Sequence, residues 1–111
     1  MKVIADLCVV PMGVGVSVSE HVAACERVLL DWGGGDPARR LKIHLHAYGT
    51  NIEGEWDDVF GAIKQCHEVL HSMGVPRIST TIKVGTRVDR EQTMEQKVRS
   101  VEEKLGSESR L

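Results

Sequence analysis

Residues 48–59 read YGTNIEGEWDDV, a stretch that predicts a tight turn, a short strand and the start of a helix. A glycine marks the turn, and Asn51 and Glu53 share one side of the strand that follows it. Asp57 and Asp58 then stand in the first turn of the helix, where the helix dipole favours negative charge. This stretch is therefore expected to join the second strand of a hairpin to a helix.

The residues before this stretch predict a strand, a helix and a second strand. KVIADLCVVP (residues 2–11) alternates as a strand that Pro11 is expected to end, and Ser17 and Glu20 have the spacing of a capping box. A helical stripe then ends at the glycines before LKIHLHAY (residues 41–48), which alternates as the next strand. The residues of that stripe are Val22, Cys25, Leu29 and Trp32.

The residues after the stretch complete the pattern. A second helix runs from Asp57 to the region of Gly74, a fourth strand covers RISTTIKVG (residues 77–85), and a third helix is expected over Asp89–Leu105. The order predicts an α+β, ferredoxin-like βαββαβ fold with an antiparallel four-stranded sheet and an extra C-terminal helix. We expect one domain over residues 1–105 and a disordered tail over residues 106–111.

Composition and charge exclude several classes of function. The formal net charge is −2, with 14 Lys and Arg against 16 Asp and Glu, and aromatic residues make up 4% of the chain. These values argue against binding to nucleic acid or to an anionic membrane surface. No apolar run is long enough to span a bilayer. Three widely spaced cysteines (Cys8, Cys25 and Cys66) indicate reduced thiols in a cytoplasmic protein.

The strand face opposite the predicted helices gathers a polar set. Its members by period-two counting are Asp6, Cys8, His44, His46, Asn51, Glu53, Ser79, Thr81 and Lys83. Such a face either contacts water, forms a subunit interface or binds a ligand. His44 and His46 with a nearby carboxylate would be the ligands of a metal-dependent enzyme, which is the least favoured of the alternatives. We predict no resident metal or cofactor.

Three motifs resemble the small thiamine-binding proteins related to YkoF. These motifs are VVPMGVGVSVSEHVA (residues 9–23), YGTNIEGEWDDVFGAI (residues 48–63) and ISTTIKVGTRVD (residues 78–89). The likeness extends from Ala5 to Leu105, and the GTNIEG and KVGTRVD elements resemble fungal members more than prokaryotic ones.

The resemblance implies a non-enzymatic binder of thiamine or its hydroxymethylpyrimidine half that self-associates as a dimer or tetramer. It implies ligand contacts at Ser17, Ser19, Thr50, Asn51, Glu53, Thr81 and Lys83, and the carboxylate of Asp6 would favour a thiazolium cation. The alternative is a structural or regulatory oligomer in which the polar face is only a subunit interface.

Overall fold

The structure is a computed structural model that describes residues 1–111. It contains four strands, three α-helices and a short 3-10 turn, Gly106–Glu108. In chain order the elements are β1 (Lys2–Met12), α1 (Ser19–Asp31), β2 (Lys42–His46), β3 (Gly49–Glu55), α2 (Trp56–Ser72), β4 (Arg77–Thr86) and α3 (Met94–Leu105). The predicted ferredoxin-like order is confirmed.

The four strands form one antiparallel sheet in the order β2-β3-β1-β4. Ala5 pairs with Ile52 on β3 and with Val84 on β4, so these apolar side chains lie on one side, which we name the core face. Asp6 pairs with Asn51 and Lys83 on the other side, which we name the open face. The predicted division of these residues between the two faces of the sheet is therefore confirmed.

The hydrophobic core lies between the core face and helices α1 and α2. Its most deeply buried side chains include Val3, Leu29, Ile52, Val59 and Leu70. Cys25 and Leu29 of the predicted α1 stripe supply it, and α2 contributes Val59, Ile63, Cys66 and Leu70, all of them buried. The Cys66 thiol donates to the Cys25 carbonyl at 3.7 Å, and its contact with Cys25 together with burial raises the pKa of Cys66. All three cysteines are free, as predicted.

The capping box occurs at a different helix from the one predicted. Helix α1 begins at Ser19 without a side-chain cap, so the Ser17–Glu20 assignment is wrong. At α3, the Thr93 hydroxyl accepts from the Gln96 amide and the Gln96 side chain accepts from the Thr93 amide. This reciprocal pair makes α3 start at Met94, five residues after the predicted start at Asp89.

Pro11 lies inside β1 instead of ending it. The ladder between β1 and β3 stops at the Leu7–Thr50 pair, whereas the ladder with β4 continues through Pro11–Ile78 to Met12–Arg77. Beyond Leu7 the strand is paired on one side only, and proline is tolerated at such an edge because it need not donate a hydrogen bond.

Helix α3 lies away from the core and contains no buried residue. Its apolar stripe remains accessible, with Val98 53% and Val101 54% exposed. The radius of gyration is 15.6 Å, above the about 13 Å expected for a compact domain of this length. The helix is attached to the open face chiefly through its first turn.

Candidate functional site

The sequence-predicted site residues lie in three separate places. The side chains of Asp6, Asn51, Glu53, Thr81 and Lys83 lie on the open face. Thr50 is on the core face, 5% exposed, because it alternates with Asn51 along β3. Ser17 and Ser19 stand at the start of α1, exposed, with their hydroxyls 3.5 Å apart.

On the open face, Asp6 organises a small hydrogen-bond network. Its Oδ1 accepts from Asn51 Nδ2 at 3.1 Å and is 2.6 Å from His46 Nε2. The Tyr48 amide donates to His46 Nδ1 at 3.2 Å, so the ring proton lies on Nε2 and points at Asp6. The structure thus brings together two of the predicted residues, Asp6 and Asn51, with His46 as their common neighbour.

Glu53 is engaged by α3. The side chain is 5% exposed, and its Oε1 accepts from the Met94 amide at 2.7 Å. Its Oε2 is 4.0 Å from Lys42 Nζ, which also contacts Glu95 at 2.6 Å. The Glu95 carboxylate raises the pKa of Lys42, and Lys42 in turn lowers the pKa of Glu95. Glu53 therefore caps the N-terminus of α3, where the helix dipole favours a negative charge.

A partly open cavity lies on the other side of the sheet. It has a volume of about 230 Å³ and is bounded by the first half of α1, the end of β1 and the turn between β2 and β3. Apolar side chains form most of its wall, among them Leu7, Val9, Val22, Leu29 and Leu45. We name it the α1 pocket.

The polar side chains in the lining of the α1 pocket include Thr50, Glu26 and His21, together with His46 and Tyr48. The Thr50 hydroxyl donates a short hydrogen bond to Glu26 Oε1. Glu26 Oε2 and His21 Nδ1 are buried and have no hydrogen-bond partner. An unpaired buried polar atom costs about 1–3 kcal/mol, so a ligand that supplies the missing bonds is favoured.

Sequence reasoning missed Glu26 and His21. Both flank the apolar stripe of α1, since His21 is four residues before Cys25 and Glu26 is four residues after Val22. The sequence of β3 could have pointed to them. Alternation turns Thr50 inward, and a buried hydroxyl requires a polar partner on the helix that covers it.

His44 and His46 do not form part of a metal-binding group in the structure. No cluster of three or more His, Cys, Asp or Glu side chains is placed to hold a metal ion. His44 is exposed, and His46 is held by Asp6. No helix is both long and apolar enough to cross a membrane.

The fold and the pocket define a ferredoxin-like α+β protein with a ring-sized, mostly apolar cavity that contains an unpaired carboxylate oxygen. Residues 5–102 match the model of the thiamine-binding protein family, and the chain belongs to this family.

Relatives of the chain extend across bacteria, archaea and fungi. A UPF0045 protein of the cyanobacterium Synechocystis is 59% identical over 92% of this chain and 78% of its own length. The UPF0045 protein ECM15 of the fungus Eremothecium gossypii is 40% identical over 96% of this chain and 95% of its own. Identity to the cyanobacterial protein is higher, so the expected closeness to fungal members is not supported.

Solved structures support the fold. The hypothetical protein MJ1052 of Methanocaldococcus jannaschii is 31% identical, with a TM-score of 0.80 over 92% of this chain and 97% of that chain. A candidate thiamine biosynthesis/salvage protein of Thermotoga maritima is 20% identical, with a TM-score of 0.73 over 91% of this chain and 99% of that chain. The second likeness is evidence of the shared fold alone.

Proposed function

We propose that this protein binds thiamine or its hydroxymethylpyrimidine moiety in the α1 pocket, without catalysing a reaction. The observation that carries this proposal is the buried, unpaired Oε2 of Glu26 in a mostly apolar cavity. The family match makes thiamine and its halves the first ligands to consider.

The pyrimidine half of thiamine has the hydrogen-bonding groups that this cavity lacks. Its exocyclic amine can donate to Glu26 Oε2, and a ring nitrogen can pair with His21 Nδ1 in the appropriate tautomer. The flat ring fits between apolar walls such as Leu7 and Val22. Two unsatisfied atoms would then become satisfied while apolar surface is buried, and both changes favour binding.

The size of the α1 pocket favours the pyrimidine ring over the whole vitamin. Its volume of about 230 Å³ lies below the roughly 300–1,000 Å³ of pockets that enclose drug-sized ligands. In this arrangement the thiazolium half of thiamine extends out of the cavity. The hydroxyls of Ser17 and Ser19 flank Val18 on the pocket wall and are available to that outer part.

The remaining predicted contacts lie on the open face and stay predictions. Asp6, Asn51, Thr81 and Lys83 face away from the α1 pocket, and Glu53 is occupied by α3. We propose that the protein self-associates as a dimer or tetramer, because the apolar stripe of α3 is exposed on this side. A second subunit could then bring its ligand against these residues.

A binding role without chemistry is the simplest account of the α1 pocket, and three free thiols fit a reducing, cytoplasmic location. Chromatography of thiamine after prolonged incubation with equimolar protein should recover it unchanged. Detection of any conversion product would contradict the non-enzymatic assignment.

The structural-oligomer alternative rests on the same exposed stripe and requires no ligand. Titration calorimetry with hydroxymethylpyrimidine and thiamine separates the two functions. We expect a Kd below about 100 μM, which corresponds to roughly −5.5 kcal/mol.

Glu26→Gln should weaken binding about tenfold or more, because a charge-assisted hydrogen bond is lost. Glu20→Gln, on the exposed side of the same helix, is the matched control. If neither hydroxymethylpyrimidine nor thiamine gives a heat of binding, the structural oligomer is the better account of the protein's function.

A further inference from the structure

A second concave surface lies on the open face, between β1, β4 and the segment that leads into α3. It is an open groove of about 850 Å³, and its lining includes five cationic side chains. They are Lys2, Lys83, Arg87, Arg90 and Lys97. Asp6 and Glu91 are the carboxylates in the same lining. We name this surface the basic groove.

Most of these cations lack a counter-ion within the protein. Only Arg87 has one, through a bidentate contact of its Nε and Nη2 with Asp89 at 2.6 and 2.8 Å. The other four have no carboxylate within 4.0 Å. Asp6 makes no ion pair with any of them, because its only salt-bridge partner is His46 and its Oδ1 also accepts from Asn51.

This excess of positive charge is local, because the chain as a whole carries a formal charge of −2. Cations that share a concave surface repel one another and raise the local concentration of anions. A bound anion would relieve that repulsion.

Gly85 leaves the floor of the basic groove open. It pairs with Ile4, one pair in from the end of the ladder between β1 and β4, and it lies on the same side as Lys83. A Cβ added at Gly85 would meet no atom within 4 Å, so nothing else fills this space. Glycine inside a strand often marks a place where a ligand approaches the backbone closely.

The edge of the groove is held in a fixed shape. Besides its contact with Asp89, Arg87 donates from Nη1 to Gln92 Oε1 at 3.1 Å. This network orders the segment that carries Arg90, and the capping box at Thr93 then begins the helix that carries Lys97. The unpaired cations are thus presented from a strand, a braced loop and a helix.

We propose that the basic groove binds a small phosphorylated anion, at a site separate from the α1 pocket. Phosphate oxygens accept hydrogen bonds from lysine and arginine side chains, and the groove supplies both kinds. The lining contains no aromatic side chain for stacking against bases, which favours a small phosphate over a single-stranded nucleic acid.

The two sites cannot hold the same ligand molecule within one subunit. The linings of the two sites share no residue, and they include side chains from opposite faces of the sheet, Leu7 and Thr50 in the α1 pocket but Ile4 and Lys83 in the groove. The sheet itself lies between them. The anion site therefore does not depend on the proposed function of the α1 pocket.

Titration calorimetry tests this proposal with inorganic phosphate, pyrophosphate and hydroxymethylpyrimidine phosphate as separate ligands. We expect pyrophosphate to bind, more weakly as salt is added. Lys83→Gln and Arg90→Gln should each weaken it about tenfold, the effect of losing a hydrogen bond to a charged group. Lys64→Gln, on the exposed side of α2, is the control for a change in net charge and should bind as the wild type does.

Glu26→Gln separates this inference from the proposed function. It should weaken hydroxymethylpyrimidine binding and leave pyrophosphate binding unchanged. The proposal is overturned if neither inorganic anion binds at millimolar concentration, or if Lys64→Gln weakens binding as much as Lys83→Gln. It is also overturned if only the pyrimidine phosphate binds and Glu26→Gln abolishes that binding, because the anion would then belong to the α1 pocket.

Discussion

Thr50 and Glu26 are hydrogen-bonded across the space between β3 and α1, and this contact holds one carboxylate oxygen while the other stays buried and unpaired. Thr50 is thereby a positioning residue for the group that we propose contacts the ligand. The same bond also joins the sheet to the helix that covers it, so it should contribute to stability.

Thr50→Val tests the stabilising role of this bond. The substitution keeps the shape of the side chain and removes the only hydrogen bond that Glu26 accepts from another side chain. Since a buried carboxylate without a donor is unfavourable, we expect the free energy of unfolding to fall by about 1–3 kcal/mol in urea denaturation. Thr81→Val, at an exposed position of β4, should change it by less than about 0.5 kcal/mol. Equal stability of the two variants would contradict this reading.

Glu53→Ala tests the attachment of α3 to the open face. The substitution removes the acceptor of the Met94 amide, so we expect the first turn of α3 to detach and its amides to exchange faster with solvent. Glu53→Gln retains an acceptor oxygen and should keep most of the protection. Hydrogen exchange read by mass spectrometry separates the two, and unchanged exchange in Glu53→Ala would show that α3 is held by other contacts.

The same variant separates assembly from ligand binding. Because α3 carries the exposed apolar stripe, Glu53→Ala should change the elution volume in size-exclusion chromatography. Binding of hydroxymethylpyrimidine should be unchanged, since the α1 pocket lies on the other side of the sheet. Loss of ligand binding together with a change in assembly would place the ligand at the subunit contact instead.

Val98→Asp combined with Val101→Asp tests whether the stripe of α3 is a subunit interface. Burial of two apolar side chains is replaced by burial of two charges, so association should be strongly disfavoured. We expect light scattering to report a dimer or tetramer for the wild type and a monomer for the double variant. Val16→Asp, at a fully exposed loop residue outside α3, should leave the mass unchanged. A monomeric wild type would contradict the proposed assembly.

The contact between Arg87 and Asp89 should make the loop before α3 sensitive to acid. The Arg87 guanidinium lowers the pKa of Asp89 to about 2, from an ordinary value of 3.8. The unfolded chain therefore binds the proton more readily, so the contact stabilises the fold above pH about 4 and its contribution disappears as the pH falls towards 2. The difference in thermal midpoint between wild type and Asp89→Asn should vanish over that range. A difference that persists at pH 2 would contradict the pairing.

Most of the fold follows from the pattern of apolar residues. Alternation around Ala5, Ile52 and Ile82 sets the core face, and the stripes of α1 and α2 supply the residues that cover it. The errors concern contacts that periodicity does not encode. Pro11 is accommodated because β1 loses one neighbour, and α3 starts where Thr93 and Gln96 cap it.

The candidate site was harder to predict than the fold. Period-two counting assigned Asn51 and Glu53 to the open face correctly, but it could not show that α3 returns to cover Glu53. The α1 pocket depends on a long-range contact between Thr50 and Glu26, which are 24 residues apart in sequence. Thr50 lies in one of the three motifs but Glu26 lies in none of them, so their meeting follows only from the packing of α1 on the sheet.

The most direct test of the central claim is a crystal structure of the protein grown with hydroxymethylpyrimidine. We predict a single ring in the α1 pocket, with its amine within hydrogen-bond distance of Glu26 Oε2 and a ring nitrogen next to His21 Nδ1. A ring bound instead on the open face, against Asp6 and Asn51, would contradict the account.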